Sequence, residues 1–250
     1  MTGAVVRFGI FCCFAGQVFR RIGSRPRFMH EAMVHLWVTT TRCFLPVVAV
    51  MLPCGAVIAM QGLEIFQLYG AERFLSSLVS VAVLRELSPM LASVLVASQG
   101  GASCAAELGA MRIKEELDAT EVMAVDGIRF HVVPRVIALV FACPLVNIAG
   151  NVAGLAGAYL SAVVVKGEPS GVFLVHLWAL TSSVDVWAGV LKTLIFGGVI
   201  GLIAAYLGTH ASNGAAGVGR AVNRTVVNSV LVCITINYFL TSALFGAGVP

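Results

Sequence analysis

Three charged side chains lie inside apolar stretches of this 250-residue chain. Arg85 and Glu86 interrupt one long apolar segment, and Lys192 lies near the start of another. An ionisable group in hydrocarbon is costly, so such groups usually face a partner or a polar cavity. These residue types therefore predict charge pairing along a polar passage, with Glu86 and Lys192 as the best pair. The alternative is that Lys192 and Arg85 extend their long stems to the membrane surface.

A second concentration of charge lies in residues 107–135. The chain has 16 basic and 12 acidic side chains, and ten of these 28 lie in that segment. Ile113, Leu117, Thr120 and Ala124 recur there at helical spacing beside acidic residues, which predicts a helix with a modest apolar stripe. A charged helix tied to an apolar segment at each end is typical of a contact with another protein. A solvated helix without a partner is the alternative.

Motifs for hydrolysis of ATP or for metal binding are absent from the sequence. None of the three lysines follows a glycine-rich phosphate loop. The seven cysteines form no C-x-x-C motif, and His30 and His35 are five residues apart, which does not place two ligands on one helical face. We therefore expect no catalytic residue, metal or cofactor on this chain.

Composition identifies the elements that must position these charges. The chain is 59% apolar and only 11% charged, with a mean hydropathy of +0.95, which excludes a soluble enzyme, a disordered tail and a nucleic-acid binder. A membrane of about 30 Å requires roughly 20 apolar helical residues. Five apolar segments meet this length, and we predict an all-α integral membrane protein with spans near 43–63, 75–106, 134–164, 187–208 and 224–246.

The N-terminal residues predict a helix that lies in the membrane interface. The apolar stretch 8–19 is too short to span, and a cluster of arginines follows it. A frayed tail is the alternative. We predict one membrane domain over 1–250, with an N-terminal segment 1–42 and a five-span core over 43–247.

The distribution of basic residues predicts the orientation. With the N-terminus in the cytoplasm, segments 1–42, 107–135 and 209–224 face inside and hold twelve of the sixteen lysines and arginines. This excess favours a cytoplasmic N-terminus and a periplasmic C-terminus. Glu86 and Lys192 then lie at similar depth in the outer half, where we expect them to line a polar neck. Exchanging their charges should restore more function than either single reversal.

Several segments, in order along the chain, resemble the MlaE/YrbE permease family. They are residues 84–89 (LRELSP), 106–112 (AELGAMR), 115–126 (EELDATEVMAVD), 133–135 (VPR), 219–229 (GRAVNRTVVNS) and 240–246 (LTSALFG). The resemblance covers roughly residues 40–247. It implies the permease subunit of an ABC transporter that moves phospholipid or a related lipid between a bacterial inner membrane and a periplasmic MCE-domain partner.

The same resemblance implies site residues and partners. By this resemblance, the lipid pathway is expected to include Glu86, Lys192, Arg85 and Arg224. A cytoplasmic coupling helix between the second and third spans is assigned to Glu115, Glu116, Leu117, Asp118, Glu121, Met123 and Asp126. A separate ATPase would bind ATP and Mg²⁺, and a second permease copy would complete a homodimer.

The sequence departs from the family pattern at two positions. Gly127 replaces a proline after the coupling helix, and Gln99 replaces an arginine of one branch, so contacts of that arginine are not transferred.

Two other functions are the alternatives to a lipid permease. A stand-alone ion-coupled secondary carrier would leave the coupling segment without a role. A membrane scaffold without transport is the third function.

Overall fold

The computed structural model describes residues 2–22, 29–71, 74–124, 126–212 and 214–245. These ranges hold helices and connections but no strand, which confirms the all-helical prediction. In chain order the helices are α1 (Thr2–Ile22), α2 (Met29–Leu68), α3 (Leu75–Ile113), α4 (Glu116–Val122), α5 (Ile128–Val165), α6 (Ser170–Leu180), α7 (Ser183–Thr209) and α8 (Gly214–Phe245).

Five of these helices are long and apolar enough to cross a membrane, namely α2, α3, α5, α7 and α8. The predicted number of spans is confirmed, but the predicted bounds are too short. α2 begins at Met29 rather than at 43, and α8 begins at Gly214 rather than at 224. The helical backbone continues past the apolar run because its hydrogen bonds do not depend on side-chain polarity.

The connection between the third and fourth spans contains a helix that the sequence analysis placed in a loop. α6 packs against α3, where Ser77 Oγ donates to the carbonyl of His176 at 2.9 Å. The ring of Phe173 in α6 meets Tyr159 of α5 edge-on, with 5.8 Å between centroids. α6 has only eleven residues, too few to span, so hydropathy alone did not reveal it.

α5 forms the centre of the bundle because glycines let α2 and α7 approach its backbone. A Cβ on Gly157 would lie 1.9 Å from the carbonyl oxygen of Leu52 in α2. A Cβ on Gly197 of α7 would lie 2.4 Å from the carbonyl oxygen of Leu139 in α5. The small-residue spacing in these spans therefore marks real helix contacts.

Two ends of the bundle can be defined by the short helices. The α4 end holds α4, the α7–α8 connection and α1, whose Phe14 ring packs against His210 at 6.4 Å between centroids. There Arg21 Nε of α1 lies 2.6 Å from Asp126 Oδ2. The α6 end, opposite, holds α6 and the C-terminus of α8. α1 is longer than its predicted apolar stretch, since it spans Thr2–Ile22.

The spans differ in how much of their surface the chain itself covers. In the most apolar window, 61% of the residues of α5 are buried, but only 28% of those of α2 and 17% of those of α8. α8 exposes large apolar side chains such as Leu231, Tyr238 and Phe239. α2 and α8 therefore have surface left for lipid or for another protein chain.

Candidate functional site

Glu86 and Lys192 form the ion pair that the sequence analysis predicted. Lys192 Nζ of α7 lies 3.2 Å from Glu86 Oε1 of α3. The carboxylate also accepts two hydrogen bonds from α8, one from Asn237 Nδ2 at 2.9 Å and one from Thr241 Oγ1 at 2.9 Å. Three membrane-spanning helices thus meet at one carboxylate, and both of its oxygens accept hydrogen bonds.

Lys192 is enclosed by its neighbours, whereas the sequence analysis predicted that it lines a polar neck. Its ammonium donates to Glu86, to Thr241 Oγ1 at 2.7 Å and to the backbone carbonyl of Arg85 at 2.8 Å. An ammonium has three N–H groups, so all of them are used. The Lys192 side chain is 0% exposed, whereas 41% of the Glu86 side chain is exposed. Glu86 therefore faces outward, and Lys192 supports it from behind.

The backbone of α3 is shaped to supply the carbonyl that Lys192 binds. Ala82–Leu87 forms a π-helical turn, and Pro89 follows it. Proline has no N–H for the carbonyl four residues earlier, which is that of Arg85. This carbonyl accepts from Lys192 instead. π-Helical turns are frequent at functional sites. Here the turn contains the two consecutive charged residues Arg85 and Glu86.

Arg85 pairs with an acid that the sequence analysis missed. Arg85 Nε lies 2.8 Å from Oδ1 of Asp185, whose side chain is 2% exposed. Asp185 Oδ2 also accepts from the backbone N–H of Ser182 at 3.1 Å, and Ser182 Oγ accepts from the N–H of Val184 at 3.2 Å. This reciprocal arrangement is a capping box at the start of α7. Ser182 and Asp185 are three residues apart, which is the spacing of a capping box. This spacing is the sequence signal that could have located Asp185.

Residues of α8 complete the cluster and were also missed. Asn237, Thr241 and Phe245 are spaced by four, so they share one face of the helix. The Phe245 ring lies under both cations, 4.4 Å from Arg85 Cζ and 5.6 Å from Lys192 Nζ. Polar residues at helical spacing inside a span were the available signal. We call Arg85, Glu86, Asp185, Lys192, Asn237, Thr241 and Phe245 the intramembrane cluster.

Arg224 lies apart from the intramembrane cluster. It is exposed in the first part of α8, where it lines a cleft of about 500 Å³ with Tyr206, His210 and Arg220. Thirteen residues of helix separate it from Asn237, which corresponds to about 20 Å. The structure therefore places the four residues predicted for a lipid pathway at two sites, three near the α6 end and one at the α4 end.

The helix between the second and third spans is shorter than predicted. α4 covers only Glu116–Val122, and the flanking residues Glu115 and Ala124 have positive φ angles of 61° and 57°. Because such residues break a helix, Ile113 and Ala124 do not share a stripe with Leu117. Met123 and Asp126 follow the helix rather than belonging to it.

The acidic residues around α4 already have local basic partners. Asp118 pairs with Arg112, and Glu116 lies 3.9 Å from Lys114. The side chain of Glu121 lies outside the described part of the structure. Two large apolar side chains of the segment are exposed as well, Val122 at 87% and Met123 at 67%. An apolar tip on a charged support is typical of a protein contact.

Two further segments that carried the family resemblance meet at the α4 end. Arg135 Nε of α5 lies 3.1 Å from Glu107 Oε2 of α3, and Arg135 Nη1 donates to the carbonyl of His131 at 2.6 Å. Glu107 Oε1 accepts from Ser103 Oγ at 3.1 Å. This pair fixes the two spans that flank α4, so it sets the position of α4 relative to the bundle.

Comparisons with known proteins agree with this architecture. A relative from Rickettsia typhi named probable ABC transporter permease protein is 35% identical, over 95% of this chain and 92% of its own length. The Haemophilus influenzae intermembrane phospholipid transport system permease protein MlaE is 34% identical over 78% of this chain and 75% of its own length. The family model described as Permease MlaE matches residues 32–243. The chain therefore belongs to the MlaE permease family.

Proposed function

We propose that this multi-pass membrane protein is the permease subunit of an ABC transporter that moves phospholipid or a related lipid. Family membership carries this proposal, because one relative is named an ABC transporter permease and another is named an intermembrane phospholipid transport system permease. A partly exposed charged cluster held within three spans supports it, since a lipid has a polar headgroup that must pass an apolar region.

In the intramembrane cluster, Arg85 and Glu86 are the proposed contacts for the headgroup. Their side chains are 31% and 41% exposed, while Lys192 is enclosed. The Arg85 guanidinium is held by Asp185 through Nε, which leaves its two terminal amino groups for an anion such as a phosphate. Arg224, exposed in the cleft at the α4 end, is the proposed pathway residue on that side.

A separate ATPase would drive transport through the segment around α4. The exposed Val122 and Met123 form the proposed apolar contact, and Glu116 and Asp118 form its charged rim. The ATPase would bind ATP and Mg²⁺, and this chain would need no cofactor. ATP hydrolysis would then reach the bundle through Arg135 and Glu107, which join the spans on either side of α4.

The remaining partners follow from the exposed spans and from the resemblance. A second copy of this chain would pack on the apolar surface of α8, giving a homodimer. A periplasmic MCE-domain protein would receive or deliver lipid at the α6 end. The complex would lie in the bacterial inner membrane, with the N-terminus cytoplasmic and the C-terminus periplasmic, as the basic residues favour.

The test is co-purification followed by transport. The tagged chain, expressed with its chromosomal neighbours, is isolated in mild detergent, and a P-loop ATPase is expected to co-purify. The complex in liposomes should then transfer radiolabelled phospholipid to an acceptor protein only when ATP is hydrolysed. Transport that requires an ion gradient and no ATP would identify a secondary carrier instead. Absence of both an ATPase and lipid movement would identify a scaffold.

A further inference from the structure

A basic cleft lies at the α4 end, between α1 and the start of α5, remote from the intramembrane cluster. It encloses about 760 Å³. Its charged lining residues are Arg20 and Arg21 of α1, with Asp126 and Arg129 from the start of α5. Among the lining residues that the structure describes, three guanidinium groups therefore face one carboxylate, so positive side chains outnumber negative ones there.

The one acid among the described lining residues, Asp126, is already engaged. Asp126 Oδ2 lies 2.6 Å from Arg21 Nε, and Asp126 Oδ1 accepts from the backbone N–H of Arg129 at 3.3 Å. Among the residues that the structure describes, Arg20 makes no ion pair and its side chain is exposed. The first 30 residues of the sequence contain no aspartate or glutamate that could neutralise it. The cleft is thus suited to an anion from outside the chain.

The helix that supplies Arg20 also exposes apolar side chains. Ile10 is 48% exposed and Phe19, directly before Arg20, is 65% exposed. A helix with exposed apolar residues and a basic end is suited to the membrane interface, where phosphate headgroups lie. Arginine binds phosphate with two parallel hydrogen bonds, which a lone ammonium does not provide. The anion that combines these features is the headgroup of an acidic phospholipid.

We propose that this cleft binds the headgroup of an anionic phospholipid and thereby holds α1 in the membrane against the start of α5. The site is distinct from the proposed transport pathway, since its lining shares no residue with the intramembrane cluster or with the cleft that holds Arg224. The proposal does not depend on the proposed function, because it concerns lipid that stays bound to the chain.

The experiment is native mass spectrometry of the full-length protein in detergent, titrated with phosphatidylglycerol or with phosphatidylcholine. Phosphatidylglycerol is expected to bind more tightly. Arg20→Gln is expected to weaken phosphatidylglycerol binding about fivefold, and Arg20→Gln with Arg129→Gln about 25-fold, while phosphatidylcholine binding stays unchanged. Arg20→Gln is at an exposed position, so the test does not depend on how Arg129→Gln folds.

A charge-matched control is Lys114→Gln with Arg42→Gln, which removes two positive charges at exposed positions outside the cleft. It is expected to bind phosphatidylglycerol within twofold of the wild type. Equal losses in the control and in the cleft variant would overturn the proposal, as would equal binding of the two lipids. Complete displacement by millimolar inorganic phosphate would show a site for free phosphate rather than for lipid.

Discussion

Lys192 is the residue on which the intramembrane cluster depends most. Its three hydrogen bonds join α3, α7 and α8, and its side chain is wholly enclosed. Lys192→Met should lower the free energy of unfolding by about 1–3 kcal/mol, because it leaves the Arg85 carbonyl without its Lys192 donor and Glu86 without its cationic partner. Thermal unfolding in detergent measures this. Leu191→Ala, at a 47% exposed neighbouring position, is the control, and an equal loss there would argue against the pair.

The surroundings of Lys192 reverse the expectation for exchanged charges. Position 192 faces the backbone carbonyl of Arg85, which accepts hydrogen bonds and repels a carboxylate. Glu86→Lys with Lys192→Glu should therefore restore no more lipid transport than either single reversal. Transport by the three variants in liposomes tests this. Recovery in the double variant alone would show that pairing outweighs the backbone contact.

The charges in this cluster differ in how far the sequence reveals them. Glu86 and Lys192 stand out because charge inside an apolar run is rare. Asp185 does not, since it lies at the start of its helix, where an acid is ordinary. The enclosure of Lys192 was equally hidden, because it depends on Thr241 and Phe245, 49 and 53 residues further along the chain.

At the scale of helices, close approach to α5 depends on individual glycines. Gly157→Ala should destabilise the bundle by about 1–3 kcal/mol, because its Cβ would meet the Leu52 carbonyl at 1.9 Å and force α2 away. Gly219→Ala is the matched control in α8, with no atom within 4 Å of its Cβ. It should stabilise by about 0.5–1 kcal/mol. Thermal unfolding in detergent measures the stability of both variants. Equal changes in stability would show that the close contact between Gly157 and the α2 backbone does not matter.

The element around α4 leads to a prediction about partner binding. Val122→Asp with Met123→Asp should abolish co-purification of the ATPase, because two charges would replace the exposed apolar tip. Lys114→Ala, in the preceding turn, should retain it. Pull-down in mild detergent with quantified ATPase gives the result. If the ATPase is retained in full by the tip variant, coupling depends on other residues.

Helix number was predictable, but helix ends were not. A helix must be apolar over roughly 20 residues to cross the hydrocarbon core, so the length of the apolar runs was enough to identify five spans. The same rule placed the start of the first span at 43, although α2 begins at Met29 and carries Glu31 in its first turn. In α4 the helix ends early because Glu115 and Ala124 adopt positive φ angles, which sequence periodicity does not report.

At the scale of the whole molecule, the structure brings the basic segments to one end. α1, the residues around α4 and the α7–α8 connection line a common cavity of about 610 Å³, although they are far apart in sequence. Twelve of the sixteen lysines and arginines lie in the three segments that meet there. Since positive charge marks the cytoplasmic side, we predict from this arrangement that the α4 end is inside.

Cysteine labelling tests this orientation directly. In a background without the seven native cysteines, Ser212→Cys reports the α4 end and Ser170→Cys reports the α6 end, both at exposed positions. A membrane-impermeant maleimide should label position 170 in intact spheroplasts and position 212 only after permeabilisation. With five spans the two ends are on opposite sides, so each position controls for the other. Labelling of position 212 in intact spheroplasts would reverse the orientation, and the α4 segment would then face away from any cytoplasmic ATPase.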